Sequence, residues 1–507
     1  MSTLPFRLAL ALCVCAFPAC DEAPVEPPPE VEPTALVQQD WPADSSVIFV
    51  LIDTLRADHT SLVEHRLGRD TTPFLREIAS ESFVFQRHYV NATWTRASMA
   101  SVFSSRLPRS HGCETRDGLL VEEIVTWPEV LQENGWQTRA VVTNGNVLPA
   151  FGFGQGFDDF EHVRDHPRHA YSDAWKVREP MLRAVDHIGS DKGMVWLHYV
   201  DPHDPYMHHD DADYNPDYHG SINGTLEVME PYNWAPPPAA DRDEIVDLYD
   251  GEILWFDHQL ELLFERLEKR GLLERSWVVV TSDHGEGLWD HRIRAHGQEV
   301  FEEQVHVPLV IRPPGGLAAR QDIHEPIAQI DVGPTLLDLL GQPIPPDFEG
   351  HSWADVLRGE QPAPARPVII HELLDFTQLY AIIDGHEKLI LDRDPKKGSI
   401  RLYDLVANPS EDVDRALDLR ERRSSSATRL LRMLEESIAE SAARRPAGTL
   451  GGMERMSPEL EAELKALGYL GDGPPDEESD GAPTAGPAGS AHESIAPHDD
   501  TPENQDH

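Results

Sequence analysis

Carboxylate and imidazole side chains follow three apolar runs that lie far apart in the sequence. The runs and the residues that follow them are Ser46–Ile52 with Asp53, Met194–Val200 with His203, and Trp277–Thr281 with Asp283 and His284. Oxygen and imidazole ligands together suit a hard or borderline divalent cation. The pattern therefore predicts a metal site, and a metal-dependent hydrolase is the class of protein that it favours.

Apolar, β-branched runs of this length are typical of strands buried in a parallel sheet. In open α/β sheets the ligand crevice lies beyond the carboxyl ends of the strands. We therefore expect the three segments to deliver their side chains to one rim. The fold class predicted is α/β, with a large mixed, mostly parallel sheet flanked by helices and a small C-terminal antiparallel sheet.

Thr95 precedes small, helix-compatible residues, which places it at a helix N-terminus. The free amides and the dipole at such a position favour an anion. A hydroxyl there, beside a divalent ion, can act as a nucleophile. The alternative is that Thr95 only caps the helix, and the local sequence by itself favours the cap.

The chain is strongly acidic, with a formal net charge of -46. This charge excludes a protein that holds nucleic acid by its phosphates. An anionic substrate would need help from metal ions and nearby basic side chains.

The N-terminus has the features of a bacterial lipoprotein signal. Arg7 precedes a short apolar stretch, and Ala19 precedes Cys20. We expect a signal peptide at 1–20 with Cys20 lipidated, a Pro/Glu-rich tether at 21–44, and an exported protein anchored to a membrane in the periplasm or cell envelope. Simple secretion is the alternative. Only Cys113 lies beyond Cys20, so the mature chain can form no internal disulfide.

Composition divides the remaining chain into three parts. We expect a catalytic domain at 45–362, a C-terminal subdomain of short alternating strands at 363–445, and an acidic disordered tail at 446–507. Helices are predicted at Thr126–Asn134, Asp241–Arg270 and Ser424–Ala442. Asp250 and Glu252 are interpreted as a solvated helix start, and His198 as a core or sheet-face histidine with its hydrogen bonds satisfied.

Several motifs occur in the order found in one known family. They are Val50–His59, Thr72–Leu75, Thr95–Ser98, Asp201–Tyr206, Thr281–Glu286, Ala295–Gly297, Phe301–Leu309, Asp331–Thr335 and Leu402–Leu405. On these residues the chain resembles the sulfatase family of the alkaline phosphatase superfamily, from Ser45 to Glu440. The resemblance implies that family's fold and the hydrolysis of sulfate or phosphate esters.

The chain also departs from the sulfatase pattern. Sulfatases carry a Cys, occasionally a Ser, that is oxidised to formylglycine in a motif close to Cys-x-Pro-x-Arg, whereas this chain has Thr95 to Met99 without the arginine. Relative to the sulfatase pattern, an aspartate is replaced by Thr54, and two lysines are replaced by Asn144 and Gln298. The departures resemble the phosphoester branch of the superfamily, in which phosphodiesterases and phosphoethanolamine transferases use a Thr nucleophile.

The resemblance implies roles for further residues. Asp53, Thr95, Asp283 and His284 would form a metal site, with zinc or manganese favoured and calcium possible. A second ion would be bound by His296 with either His203 or the Asp204/His208 pair. His296 or His203 would assist the leaving oxygen, and Arg96 and Asn144 would contact the substrate anion, although an exposed Arg96 is an equal alternative.

Two other functions remain open. The chain could be a weakly catalytic, metal-stabilised binding lipoprotein, although it retains Asp53, Asp283, His284 and a hydroxyl at position 95. It could also be a phosphoethanolamine-type transferase, although those enzymes usually have several transmembrane helices. We expect a hydrolase that acts more on phosphoesters than on sulfate esters.

Overall fold

The structure is a computed structural model. It describes residues 40–63, 65–163, 174–189, 192–232, 236–291, 293–374, 378–394, 398–413, 417–418, 425–452, 454 and 456–466. The predicted signal peptide and Cys20 lie outside these residues. Within them, no helix is long and apolar enough to cross a membrane.

The strands alternate with helices along the first two thirds of the chain and follow one another in the last third. In chain order the strands are β1 (Ser46–Ile52), β2 (Phe83–Phe85), β3 (His88–Tyr89), β4 (Gln137–Val142), β5 (Asp159–His162), β6 (Gly193–Tyr199), β7 (Ser276–Ser282), β8 (Gly287–Leu288), β9 (Arg294–Ala295), β10 (Leu309–Arg312), β11 (Gln321–Ile323), β12 (Ile327–Ala328), β13 (Val368–Glu372), β14 (Leu379–Asp384), β15 (Glu387–Asp392), β16 (Ser399–Asp404) and β17 (Leu417–Asp418).

The helices in chain order are α1 (Pro73–Ala79), α2 (Thr95–Ser104), α3 (Pro108–His111), α4 (Trp127–Glu133), α5 (Ala174–Asp186), α6 (Leu226–Met229), α7 (Ala239–Lys269), α8 (Glu302–Val305), α9 (Val332–Leu339), α10 (Ala354–Leu357), α11 (Ser425–Arg444) and α12 (Pro458–Ala466). The predicted helices at 126–134, 241–270 and 424–442 correspond to α4, α7 and α11. Thr126 caps α4 through a capping box with Glu129.

The large sheet has the order β11-β2-β10-β7-β1-β6-β4-β5. Strands β7, β1, β6, β4 and β5 are parallel, and β10 runs antiparallel to its neighbours. Every residue of β1, β6 and β7 is buried, as their continuous apolar sequences predict. The mixed, mostly parallel α/β fold is therefore confirmed.

Alternate residues of the central strands belong to two separate cores. Val47, Phe49 and Leu51 pack on the face that α2 covers, and Ile48 and Val50 pack on the face that α7 covers. This alternation fixes which residues beyond the strand ends face α2.

The C-terminal antiparallel sheet is also confirmed, with the order β13-β14-β15-β16-β17. Helix α11 covers it with Leu430, Leu434 and Ile438. Buried Lys388 joins this sheet to the large domain through an ion pair with Glu302 at 3.0 Å, and it also pairs with Glu411 of the C-terminal part at 2.9 Å.

Two sequence interpretations differ from the structure. Helix α12 lies inside the segment 446–507 that was expected to be disordered, and Leu460 and Leu464 are buried in the α2-side core. Asp250 and Glu252 are not solvated: both are buried near the middle of α7, because residues from the loops at 59–69 and 207–209 bond to them.

Candidate active site

Asp53, Asp283 and His284 form a compact buried cluster at the carboxyl ends of β1 and β7. Each offers a ligand atom, and these atoms lie within 4.8 Å of one another. His284 Nε2 lies 3.8 Å from Asp53 Oδ1 and 3.4 Å from Asp283 Oδ2. The parallel register pairs Leu51 with Thr281, which places both aspartates on the α2 face. The predicted convergence of these three residues is thus observed.

The donor atoms of this cluster fit a divalent cation. Asp53 Oδ1 and Asp283 Oδ2 are buried without hydrogen-bond partners. Burial, and then the negative charge of Asp283, raises the pKa of Asp53 well above its usual value, and burial raises the pKa of Asp283 to about 7. Burial also keeps the pKa of His284 well below its usual value, so the imidazole is neutral. Two carboxylates that ionise together here need a compensating cation.

Thr95 is the first residue of α2, and its side chain does not cap the helix. Trp94, with an extended backbone, occupies the N-cap position. Thr95 Oγ1 lies 3.2 Å from His284 Nε2 in a buried environment. The hydroxyl therefore lies beside the metal-binding cluster and at the positive end of the helix dipole.

His296 lies next to this cluster and is oriented by Glu286. The rings of His296 and His284 have centroids 4.3 Å apart, and His203 is on the other side of His296 at 5.0 Å. Glu286 Oε1 lies 3.2 Å from His296 Nδ1, so Nδ1 carries the hydrogen. Burial raises the pKa of Glu286, but the adjacent His296 and its hydrogen bond lower it to a greater extent, so the net pKa is below the usual value.

His203 is also held by its Nδ1. This nitrogen donates to the backbone carbonyl of Asp204 at 2.6 Å. Burial, followed by the nearby His296, lowers the pKa of His203 to about 4. Asp204 itself forms a buried ion pair in which Arg294 Nη1 lies 2.6 Å from Oδ2.

Of the residues predicted to bind a second ion, His203 and His296 lie side by side, whereas His208 pairs with other carboxylates. His208 is about half exposed, and its ring nitrogens lie 3.7 Å from Asp210 and 3.3 Å from Asp213. In the described part of the chain, neither His203, Asp204, His208 nor His296 belongs to a compact group of three metal-binding side chains. The physical reason is that Arg294 already neutralises Asp204.

A second compact group of possible metal ligands, His59, His65 and Asp250, is a hydrogen-bond network. His59 Nδ1 lies 2.5 Å from Asp250 Oδ1, and Arg69 Nη1 donates to Oδ2 at 2.6 Å. The Leu67 amide donates to His65 Nδ1 at 3.0 Å, so the hydrogen of the neutral His65 ring is on Nε2, 3.6 Å from Asp250. A protonated Nε2 is not a metal ligand, and this group is therefore structural.

Arg96 and Asn144 both lie in the interior, so the alternative of an exposed Arg96 is wrong, and their contact with the substrate anion stays a prediction. Arg96 is buried over the ring of Phe151, at 3.6 Å from its centroid, and donates to Asn146 Oδ1 at 3.0 Å. Asn144 Nδ2 donates to Asp53 Oδ2 at 2.7 Å, and Asn144 Oδ1 accepts from the Asn146 amide at 2.9 Å. Asn144 thus supports a carboxylate of the candidate metal-binding cluster.

Sequence reasoning gave no role to Glu286, Arg294 or Asn146. Glu286 and Arg294 lie in or next to motifs that were identified, and Asn146 is two residues after Asn144. Charged residues two positions from a site histidine were the available signal for Glu286 and Arg294. Arg96–Asn146 pairing depends on the folded loop at 144–147 and has no local sequence signal.

Comparison with known proteins identifies the family. A protein-family model described as Sulfatase matches residues 45–342, and one described as N-sulphoglucosamine sulphohydrolase, C-terminal, matches residues 285–439. Arylsulfatase K of Mus musculus is 30% identical over 165 residues, which are 31% of this chain and 29% of that protein. The matched part of this chain thus spans less than a third of that relative's length.

Two solved structures share the fold. A protein in complex with its substrate D-glucosamine-2-N,6-O-disulfate has a TM-score of 0.67 and 17% identity, and the alignment covers 79% of this chain and 98% of that chain. Phosphonate monoester hydrolase of Agrobacterium radiobacter has a TM-score of 0.64 and 18% identity, and the coverage is 78% and 96%. Because the Sulfatase model matches more than half of the chain, this protein belongs to the sulfatase family and is an ester-bond hydrolase.

Proposed function

We propose that the protein is a divalent-metal-dependent hydrolase of anionic esters in which Thr95 is the nucleophile, with phosphoesters preferred over sulfate esters. The observation that carries the proposal is the Thr95 hydroxyl, buried at a helix N-terminus and 3.2 Å from His284 Nε2. A hydroxyl serves as a nucleophile when its neighbours lower its pKa and a positive field receives the substrate anion.

Asp53, Asp283 and His284, with Thr95, are the residues that would hold the ion. A nitrogen ligand among the oxygens favours zinc or manganese over calcium. When bound, the ion supplies positive charge that lowers the pKa of the hydroxyl and stabilises the charge on the reacting ester.

The chain's own groups account for the proton transfers. Thr95 Oγ1 forms a bond to phosphorus as the bond from phosphorus to the leaving oxygen breaks. Oγ1 gives its proton to solvent, and a protonated His296 or His203 delivers a proton to the leaving oxygen and later regains one from solvent. Water then attacks phosphorus, the Oγ1–phosphorus bond breaks, and the threonine hydroxyl and the imidazole proton are restored.

The preference for phosphorus rests on the residues around the nucleophile. Thr95 has a single hydroxyl, so the covalent intermediate must be released by water at the central atom. The positions that carry lysines in the resembling sulfatases are Asn144 and Gln298 here. The shared fold does not decide between the two ester classes, because one structural neighbour was solved with a sulfated sugar and another is a phosphonate monoester hydrolase.

The test compares hydrolysis of nitrophenyl sulfate, nitrophenyl phosphate and a nitrophenyl phosphodiester by the purified protein with zinc, manganese or calcium. We expect phosphoester turnover with zinc or manganese. Thr95→Ala should abolish it, and Thr95→Ser should retain part of it because the hydroxyl remains.

Ser104→Ala is the matched control, because Ser104 is in the same helix but bonds only to the Ala100 carbonyl among the described residues. It should leave turnover unchanged. Turnover of any of the three esters that survives Thr95→Ala refutes the nucleophile assignment. Faster sulfate than phosphoester turnover refutes the substrate preference, and inactivity on all three esters would favour a binding lipoprotein.

We also propose that the protein is exported and anchored to a membrane through lipidated Cys20, in the periplasm or cell envelope of a bacterium. The support is the signal-like segment before Cys20 and the Pro/Glu-rich segment after it. Expression in a bacterium followed by membrane fractionation tests this. The protein should partition with membranes, and Cys20→Ala should release it from them. Equal partitioning of both proteins would contradict lipidation.

A further inference from the structure

His198 is a buried histidine whose ring makes no hydrogen bond. It lies in β6 with no exposed surface, and neither Nδ1 nor Nε2 has a partner among the described residues. Its Nε2 lies 4.0 Å from Asp53 Oδ2. An unpaired polar group in the interior is costly, so a histidine at this position needs an explanation.

The sheet register places His198 just beneath the metal-binding residues. Leu51 pairs with His198, and Asp53 follows Leu51 by two residues, so all three side chains lie on the α2 face. The ring of Trp196 lies below His198, with centroids 5.9 Å apart. His198 therefore lies between the apolar core and the carboxylates of the cluster.

The two oxygens of Asp53 have different surroundings. Oδ1 is the oxygen near His284 and has no hydrogen bond. Oδ2 accepts one hydrogen bond from Asn144 at 2.7 Å. A carboxylate oxygen accepts two hydrogen bonds, so Oδ2 has room for a second donor, and His198 Nε2 is near enough to supply it after a small rotation.

We propose that His198 is a positioning residue for Asp53: after a small rotation its Nε2–H donates to Oδ2, and together with Asn144 it keeps Oδ1 directed at the metal position. This inference rests on the proposed metal centre. Donors of this kind behind a metal ligand orient it and raise its affinity for the ion.

His371 is a control of the same kind elsewhere in the chain. It is also buried, and neither of its ring nitrogens has a hydrogen-bond partner among the described residues. It packs against Tyr380 in the C-terminal sheet, with ring centroids 5.3 Å apart. Replacing it tests the general cost of losing a buried imidazole without touching Asp53.

The experiment measures Mn²⁺ affinity by titration calorimetry on the metal-free full chain and on three variants. His198→Phe should weaken Mn²⁺ binding by about 10- to 100-fold. His198→Gln, whose amide reaches the position of Nε2, should bind within about threefold of the unsubstituted protein, since it keeps the donor. His371→Phe should leave the affinity unchanged.

His198→Asn, whose amide reaches only the position of Nδ1, replaces His198→Phe if the latter does not fold, and it should lose affinity to a similar extent. Unchanged affinity in His198→Phe or His198→Asn overturns the inference, as does equal weakening in His198→Gln or His371→Phe. If the unsubstituted protein binds neither Mn²⁺ nor Zn²⁺, the proposed metal centre fails and this inference fails with it. If the unsubstituted protein binds the ion and the His198 substitutions do not change its affinity, this inference is overturned and the proposed metal centre stands.

Discussion

Asp283→Asn should have opposite effects on the metal-free and the metal-loaded protein. Without an ion, the buried carboxylates of Asp53 and Asp283 oppose each other, and burial raises the pKa of Asp283 to about 7. In the unfolded chain the same carboxyl ionises near pH 4. Ionisation then favours the unfolded state as the pH rises, so the free energy of unfolding falls between about pH 4 and 7 and levels off above the folded pKa.

The magnitude follows from the shift of the pKa. Each pKa unit corresponds to about 1.36 kcal/mol, so a shift from 3.8 to about 7 amounts to about 4 kcal/mol, of which about 3 kcal/mol falls between pH 5 and 8.5. Asn at position 283 cannot ionise and removes this loss. The metal-free variant should therefore gain about 3 kcal/mol relative to the unsubstituted protein across that pH range.

The assay is urea unfolding at pH 5 and pH 8.5, in EDTA and in saturating Mn²⁺. Asp257→Asn is the matched control, because Asp257 is also buried with a pKa raised to about 7 by burial, but it accepts the backbone amides of Phe74 and Leu75, outside the metal-binding cluster. Both variants should lose part of the pH dependence in EDTA. Only Asp283→Asn should lose the stabilisation that Mn²⁺ gives.

Two results would refute this reasoning. If Asp283→Asn has the same pH dependence as the unsubstituted protein in EDTA, the carboxyl is not held protonated by burial. If Mn²⁺ stabilises Asp283→Asn as much as the unsubstituted protein, Asp283 is not a ligand.

Three further substitutions test other parts of the structure. Glu286→Gln removes the carboxylate charge that orients His296. Because general acid catalysis contributes about 10²–10⁴-fold, kcat should fall by about tenfold or more with little change in KM. An unchanged kcat in steady-state assays would contradict the pairing of Glu286 with His296. Lys388→Met leaves buried Glu411 and partly buried Glu302 without their cation and should destabilise the protein by about 3–5 kcal/mol in urea unfolding. The loss should be smaller at pH 5 than at pH 8, because the glutamates can then be protonated. Leu464→Ala should cost about 2–5 kcal/mol if α12 packs as observed, whereas no loss would mean that this segment is a tail.

The part of the site that lies at the ends of strands could be predicted from the sequence. Asp53, Asp283 and His284 each follow a buried strand, and parallel strands place their carboxyl ends on one rim whatever the details of packing. The start of α2 at Thr95 was also readable, because small residues follow it. The choice between cap and nucleophile needed the distance to His284, which no local pattern contains.

The misinterpreted residues share a different property: their partners are remote in sequence. Asp250 was read as solvated because charged residues usually lie on the exposed face of a helix, but His59 and Arg69 reach it from a loop. Arg96 is held by Asn146 and the ring of Phe151. The burial of a charged side chain can be predicted from sequence only when its partner is also near in the sequence, as in helical i,i+4 pairs.

The arrangement of the residues predicted to bind a second metal ion bears on how many ions the proposed mechanism needs. Arg294 is permanently protonated and lies 2.6 Å from Asp204 Oδ2, so a fixed cation already neutralises the carboxylate that a second ion would require. The Nδ1 atoms of His203 and His296 bond to the Asp204 carbonyl and to Glu286, and these bonds orient both rings. Under the proposed function, the cluster of Asp53, Asp283 and His284 would hold an ion beside Thr95, and the two imidazoles would carry out the proton transfers. Proton transfer to the leaving oxygen would then replace the second ion. The Arg294–Asp204 ion pair joins residues 90 positions apart, so no local sequence pattern predicts it.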